Sequence, residues 1–302
     1  MHKTRFLLKC FLRLCIAAAC LIAAIATYRF VLHPWIESAC SLGESASSIV
    51  RRANLFVAVV LSYWAFVRFY ERRAVQELSL QWRWIVLAAV TGSLSIGVTI
   101  LALYATGHYQ LLSFRGFDQA AGVFATIWIA AVMEEVAFRG ILFRILEEGI
   151  GTRAALIASA VIFGAVHLTN NGAQWVTLLS VTLAGLMWAA VFIVSRNIWV
   201  VAAHHCCWNA TIFMVGVPLS GEDWRAQAPL ETVGQGSVLW TGGAFGPEDS
   251  LVNLFVSLAI CAALWRLARR TGQGSRLTNC GDLAQPDPGL QRPTAAQAPG
   301  AG

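Results

Sequence analysis

Eight apolar stretches, separated by short polar segments, dominate the sequence. They lie at residues 14–32, 55–69, 84–104, 119–146, 154–168, 175–194, 199–217 and 251–267. Several of them approach the roughly 20 residues that a helix needs to cross a bilayer. The pattern therefore predicts an all-α fold, a polytopic transmembrane bundle of about eight helices.

Composition and charge agree with a membrane protein. Hydrophobic residues make up 57% of the chain and charged residues only 13%, well below the roughly 25% of a soluble domain. The net charge of +6 comes from basic residues that fall between the apolar stretches, so it indicates orientation in a lipid bilayer and no nucleic-acid partner. Lys and Arg concentrate in the segments on the side of the N-terminus, which predicts that both termini are cytoplasmic.

The domain organisation follows from the same stretches. We expect one transmembrane domain at residues 1–269, with a core at 119–217 and an outer loop at 218–249 that is either an ordered cap or a plain connector. Residues 270–302 are rich in Gly, Pro, Gln and Ala, which predicts a disordered cytoplasmic tail. The chain ends in no organelle-retention signal, and we expect a bacterial inner-membrane protein.

Three ionisable residues lie in the middle of the fourth apolar stretch, Glu134, Glu135 and Arg139, and Arg144 lies near its end. On insertion scales a charge at the centre of a membrane helix costs roughly 2.5 to 3.5 kcal/mol, so such residues indicate a functional site. Glu135 and Arg139 stand four residues apart and can neutralise each other on one helix face. Glu134 is left without a local cation and becomes a candidate general base.

Polar residues in two later stretches are candidate companions of Glu134. His167 lies near the end of the fifth stretch, and counting along two adjacent antiparallel helices places it at the membrane depth of Glu134. In the seventh stretch, His205 and Asn209 are four residues apart and share one helix face. That pair is equally compatible with a simple hydrogen bond between helices.

These residues form three motifs that resemble those of one protein family. The motifs are E-E-x-x-x-R at Glu134–Arg139, F-x-x-x-H at Phe163–His167 and H-x-x-x-N at His205–Asn209. Their order and spacing resemble the CPBP family of intramembrane proteases, which comprises CAAX prenyl proteases and bacteriocin-processing or Abi-type enzymes. The resemblance covers about residues 119–217 and implies an eight-helix, glutamate-dependent intramembrane endopeptidase.

The resemblance also implies a role for each motif residue. Glu134 and His167 would activate a water, and His205 and Asn209 would stabilise the oxyanion. Glu135 and Arg139 would support Glu134. The implied substrate is a peptide bond in a membrane-associated protein or peptide, and no cofactor is implied. Carboxylates and imidazoles are suited to these roles.

Two alternatives remain open from the sequence. Glu134, His167 and His205 could instead bind a catalytic Zn²⁺, although no H-E-x-x-H motif is present. The chain could also be a non-enzymatic transporter or an immunity scaffold, because proton-coupled transporters use buried Glu and His as well. Against a transporter, the sequence shows neither paired halves nor helices broken at matching positions.

Overall fold

The computed structural model describes residues 2–41 and 43–270; of the tail predicted at 270–302, only Arg270 is described, as the last residue of a helix, and the rest lies outside the described residues. Eight long helical segments follow one another along the described chain. They are α1 (His2–Thr27, continued by a wide turn Tyr28–Leu32 and by His33–Cys40), α2 (Glu44–Ala65, continued by Phe66–Tyr70), α3 (Trp82–Ala105), α4 (Ala120–Glu135, Val136–Phe143 and Arg144–Ile150), α5 (Thr152–His167), α6 (Trp175–Ser195), α7 (Ile198–Met214) and α8 (Leu251–Arg270). The all-α membrane bundle predicted from the apolar stretches is confirmed.

Five of these segments are long and apolar enough to cross a membrane, and α5 is a shorter apolar helix. The side chains of α3 show how the bundle meets lipid. Large residues such as Leu94 and Leu101 are exposed, whereas Gly92 and Ile96 are buried. Because lipid tails are as apolar as Leu, small residues face the neighbouring helices and large ones face outwards. The protein is an integral membrane protein.

The first helix begins earlier than the predicted start at residue 14, and an ion-pair cluster explains the difference. Arg13 lies 2.6 Å from Glu71, after α2, and 2.5 Å from Glu148 in α4. Arg144 contacts the same two glutamates. The polar start of α1 therefore packs on the charged end of α4, where hydropathy alone predicts no structure.

Helix α7 lies at the centre of the bundle, packed against α3, α4 and α6. Its segment from Val200 to His205 is buried. Gly92 of α3 permits the close approach of α3 to α7, since a Cβ atom there would lie 2.2 Å from the backbone oxygen of His204. The residue pair predicted from H-x-x-x-N therefore sits on a helix surrounded by protein.

A two-stranded ribbon, missed by the sequence analysis, covers one end of the bundle. Strand β1 (Tyr109–Phe114) pairs antiparallel with β2 (Leu230–Gly234). Arg115 and Glu231 lie 2.7 Å apart beside it. The outer segment 218–249, for which a plain connector was one expectation, is thus ordered: it contains β2, the short helices Arg225–Gln227, Val238–Thr241 and Pro247–Asp249, and buried residues such as Phe245.

Candidate active site

The charged residues of the first motif lie where α4 widens. The regular helix Ala120–Glu135 continues as a π-helical segment, Val136–Phe143; such wide turns occur frequently at functional sites. Across this junction, Arg139 Nη1 donates to Glu135 Oε1 at 3.1 Å, and the side chains are 2% and 0% exposed. The pair predicted from the four-residue spacing is therefore present and fully buried.

Arg139 is held by aromatic rings and one carbonyl as well as by Glu135. Its Nη2 donates to the carbonyl oxygen of Gly185 at 3.0 Å. The guanidinium carbon lies 4.9 Å from the ring centre of Phe163 and 5.7 Å from that of Trp188. Cation–π contacts of this kind stabilise a cation that has lost its water.

His205 contacts both glutamates of the first motif. Its Nδ1 lies 2.8 Å from Glu135 Oε1, and its Nε2 lies 3.8 Å from Glu134 Oε2. Trp188 stacks on the imidazole, with ring centres 3.7 Å apart and planes inclined by 23°. With a carboxylate at Nδ1 and an indole on one face, the ring has little freedom to turn.

His167 is the last residue of α5 and is oriented by its own helix. Its Nδ1 lies 2.8 Å from the carbonyl oxygen of Phe163. Because a carbonyl oxygen only accepts, Nδ1 must carry the hydrogen and donate it. In the neutral ring, Nε2 is then left with its lone pair, the form that can take a proton from water.

Phe163 lies between the two histidines. Its ring centre is 4.5 Å from that of His167 and 6.3 Å from that of His205. The residue is fully buried. Both histidines therefore contact one aromatic ring, and these contacts are those of a packing side chain. Among the described residues, no hydrogen bond or ion pair joins His167 directly to Glu134.

Three polar atoms of the motif residues are buried and have no hydrogen-bond partner: Glu134 Oε2, Glu135 Oε2 and Asn209 Oδ1. An unsatisfied buried polar atom costs about 1–3 kcal/mol. Such atoms are rare in folded proteins. Two of these atoms belong to adjacent glutamates of α4, and the third lies on α7, one turn beyond His205.

A small cavity of about 10 Å³ lies beside the two histidines. That is about the space needed for one water molecule. Its lining includes His167, His205, Ser180 and, unexpectedly, Ser220 and Glu248 of the outer segment. Glu134 and Asn209 are not part of this lining. Glu248 was missed because nothing in its local sequence separates it from any loop glutamate.

One alternative from the sequence is that Glu134, His167 and His205 bind a catalytic zinc ion. Within residues 2–41 and 43–270, no three His, Cys, Asp or Glu side chains are arranged to hold a metal ion. His205 Nδ1 is hydrogen-bonded to Glu135, and His167 Nδ1 to the carbonyl oxygen of Phe163; histidines that bind a metal through Nε2 commonly make such hydrogen bonds with the other ring nitrogen. The alternative in which Glu134, His167 and His205 bind zinc therefore stays a prediction.

Comparison with known proteins agrees with the motifs. The family described as type II CAAX prenyl endopeptidase Rce1-like matches residues 116–211, about a third of the chain. All three motifs fall inside this region. No curated protein and no solved structure matches the chain. The family match confirms the resemblance to CPBP intramembrane proteases and supports an intramembrane endopeptidase of the CAAX-protease type in general.

Proposed function

We propose that the protein is a glutamate-dependent intramembrane endopeptidase that hydrolyses a peptide bond in a membrane-associated protein or peptide. The observation that carries this proposal is the convergence of His205 on Glu134 and Glu135, at 3.8 and 2.8 Å, inside an apolar helix bundle. The family match over the same residues supports it. No metal takes part in the proposed reaction.

In the proposed reaction, Glu134 and His167 activate the attacking water. We assign the attacking water to Glu134, whose side chain is 29% exposed, and not to Glu135, whose side chain is fully buried. His167 Nδ1 donates a hydrogen bond to the carbonyl oxygen of Phe163. In the neutral ring, Nε2 is therefore the nitrogen that can accept a proton. Removing a proton from water as it attacks a carbonyl is general base catalysis, typically worth 10²–10⁴-fold in rate.

Asn209 and His205 are proposed to stabilise the oxyanion. The side-chain amide of Asn209 does not titrate, so its N–H groups can donate hydrogen bonds at any working pH. His205 donates from Nδ1 to Glu135, so its Nε2 is a second donor only when the ring is protonated. Donors aimed at the developing charge of a tetrahedral intermediate are commonly the largest single contribution to catalysis.

Glu135 and Arg139 are proposed to support the site without contacting substrate. Glu135 Oε1 accepts hydrogen bonds from both the Arg139 guanidinium and His205 Nδ1. One oxygen atom thus fixes the cation and the imidazole relative to each other. A prenylated protein is one substrate class suggested by the family description, alongside unmodified membrane peptides.

The test is cleavage of a library of membrane peptides, prenylated and unprenylated, by the full chain in liposomes, read by mass spectrometry. We expect wild type to cleave a subset, with no loss on adding a strong chelator, and we expect no product with Glu134→Gln or His167→Ala. Loss on chelation that added zinc restores would assign the same residues to a metalloprotease. No cleavage by wild type across the library would contradict the proposal.

A matched control separates chemistry from folding. Glu148 is also on α4, at its charged end, and its side chain is 43% exposed. Glu148→Gln changes the same functional group outside the site and should retain cleavage. Equal loss in Glu148→Gln and Glu134→Gln would show that the substitution acts through stability.

A further inference from the structure

Glu248, in the short helix Pro247–Asp249 of the outer segment, is a buried carboxyl beside the candidate site. It is 7% exposed and lines the small cavity together with His167 and His205. Burial raises the pKa of Glu248 above its usual range, against the opposing hydrogen bonds from Ser220. No Lys or Arg pairs with it among the described residues. A buried carboxyl without a cationic partner, next to a candidate site, is a candidate functional residue.

Both carboxylate oxygens of Glu248 accept hydrogen bonds from the protein. Oε1 accepts from Trp208 Nε1 at 3.3 Å. Oε2 accepts from the backbone N–H of Ser220 at 2.8 Å and from its hydroxyl at 2.7 Å. An ionised carboxylate, which only accepts, matches this set of donors.

Through Ser220, Glu248 is connected to the segment that follows His167. The Ser220 carbonyl oxygen accepts from Asn170 Nδ2 at 2.9 Å. The two backbones also approach closely, since a Cβ atom at Gly221 would lie 2.6 Å from the Asn171 carbonyl oxygen. Glu248 therefore holds the turn that caps the end of α5, three residues beyond His167.

Through Trp208, Glu248 is connected to α7. Trp208 is fully buried and stands between His205 and Asn209 in the sequence of that helix. Its ring centre lies 6.1 Å from that of Trp188, the residue stacked on His205. The backbone oxygen of Glu248 also accepts from Asn253 Nδ2 at 2.9 Å, which ties it to α8.

We propose that Glu248 is a positioning residue of the active site: from the outer segment, it fixes the end of α5 that bears His167 relative to the face of α7 that bears His205 and Asn209. This inference rests on the proposed function, since it assigns Glu248 a role in the same reaction. A misplacement of catalytic groups by about 1 Å can lower the rate about 10²-fold. The loop over the site is then part of the enzyme and not a connector.

The test compares Glu248→Gln with Asp249→Asn. Asp249 is the neighbouring buried carboxyl but does not line the cavity. For a cleaved peptide, Glu248→Gln should lower kcat about 10–100-fold with KM within about twofold, and Asp249→Asn should keep both near wild type. Ser220→Ala should lower kcat less, and should add little in the Glu248→Gln background, because Ser220 acts through Glu248. Equal kcat values in Glu248→Gln and wild type would overturn the proposal.

Hydrogen exchange provides a readout that needs no cleavage. Glu248→Gln should increase amide exchange in both residues 167–172 and residues 205–209, whereas Asp249→Asn should increase it in neither segment. If wild type cleaves no peptide but both segments respond, the proposed function fails and the link made by Glu248 stands. If wild type cleaves and neither segment responds, the link fails and the proposed function stands.

Discussion

His205 and Glu135 join two helices of the candidate site by a hydrogen bond of 2.8 Å between Nδ1 and Oε1, across 70 residues of sequence. The same oxygen accepts from Arg139 at 3.1 Å. The first and third motifs are therefore joined by Glu135, and not by the proposed base Glu134. Glu134, the proposed base, keeps one buried oxygen without a partner.

Replacing Glu135 by Gln should lower kcat without abolishing cleavage. The amide keeps the size of the side chain but loses the charge that holds both Arg139 and His205. We expect a loss of about 10²-fold, typical of a displaced catalytic group, with a smaller effect on KM. The measurement is kcat and KM in liposomes; a variant equal to wild type in both would contradict the orienting role.

Replacing Arg139 by Met should destabilise the protein by about 3–5 kcal/mol, because it leaves the Glu135 charge buried and unpaired. Adding Glu135→Gln should recover part of that loss, since the unpaired charge is then removed as well. The free energies of unfolding of the two single variants and the double variant, measured in mixed micelles, form a double-mutant cycle. Additive losses would contradict a coupled pair.

Gly92→Ala should disrupt the packing of α3 on α7. The new Cβ would lie 2.2 Å from a backbone oxygen of His204, so a helix must move. Gly97 lies on the same helix with nothing within 4 Å of its Cβ position. Gly97→Ala should be neutral or stabilise by about 0.5–1 kcal/mol. Thermal unfolding of both variants measures the difference, and similar destabilisation of the two would contradict the close approach.

Asp249→Asn should stabilise the protein increasingly as the pH rises. Burial raises the pKa of Asp249 from 3.8 to about 6, while a hydrogen bond from Thr177 opposes the rise. The folded state therefore binds the proton more tightly than the unfolded state. The contribution of Asp249 to the stability of wild type is therefore fully present below about pH 4 and is lost as the pH rises through about 6. Asparagine does not titrate, so the variant should gain at most about 3 kcal/mol on wild type near pH 7.

The readout for Asp249 is the difference in unfolding midpoint between variant and wild type at pH 5, 6, 7 and 8. Asp223 serves as a contrast, because its pKa is lowered by hydrogen bonding to Arg225. Asp223→Asn should therefore differ from wild type by a constant amount between pH 5 and 8, because Asp223 is ionised in both the folded and the unfolded state over that range. A pH-independent difference for Asp249→Asn would contradict its raised pKa.

The sequence was sufficient to predict the helices and the contact within the first motif. Glu135 and Arg139 are four residues apart on one helix, so their pairing depends on local geometry that the spacing already contains. The eight apolar stretches likewise reflect a local property, the hydropathy of each segment. Their ends shifted where charged residues such as Arg13 find partners in distant helices.

The sequence could not predict the contacts made by the outer segment. Glu248 reaches the site through Trp208, 40 residues away, and Ser220, 28 residues away. Nothing near Glu248 signals burial. Strands β1 and β2 pair across more than 100 residues, so neither strand has its partner nearby in the sequence. The hydrogen bond between Glu135 and His205 depends on how α4 packs on α7. The spacing of the motif residues does not determine that packing.

The most direct test of the account is the rate of cleavage of one identified peptide in liposomes by wild type, Glu134→Gln and Glu148→Gln at equal amounts of folded protein. The account predicts that Glu134→Gln lowers kcat/KM by at least the 10²–10⁴-fold that general base catalysis contributes, while Glu148→Gln stays within about twofold. Cleavage by Glu134→Gln at the wild-type rate would contradict the central role of this glutamate.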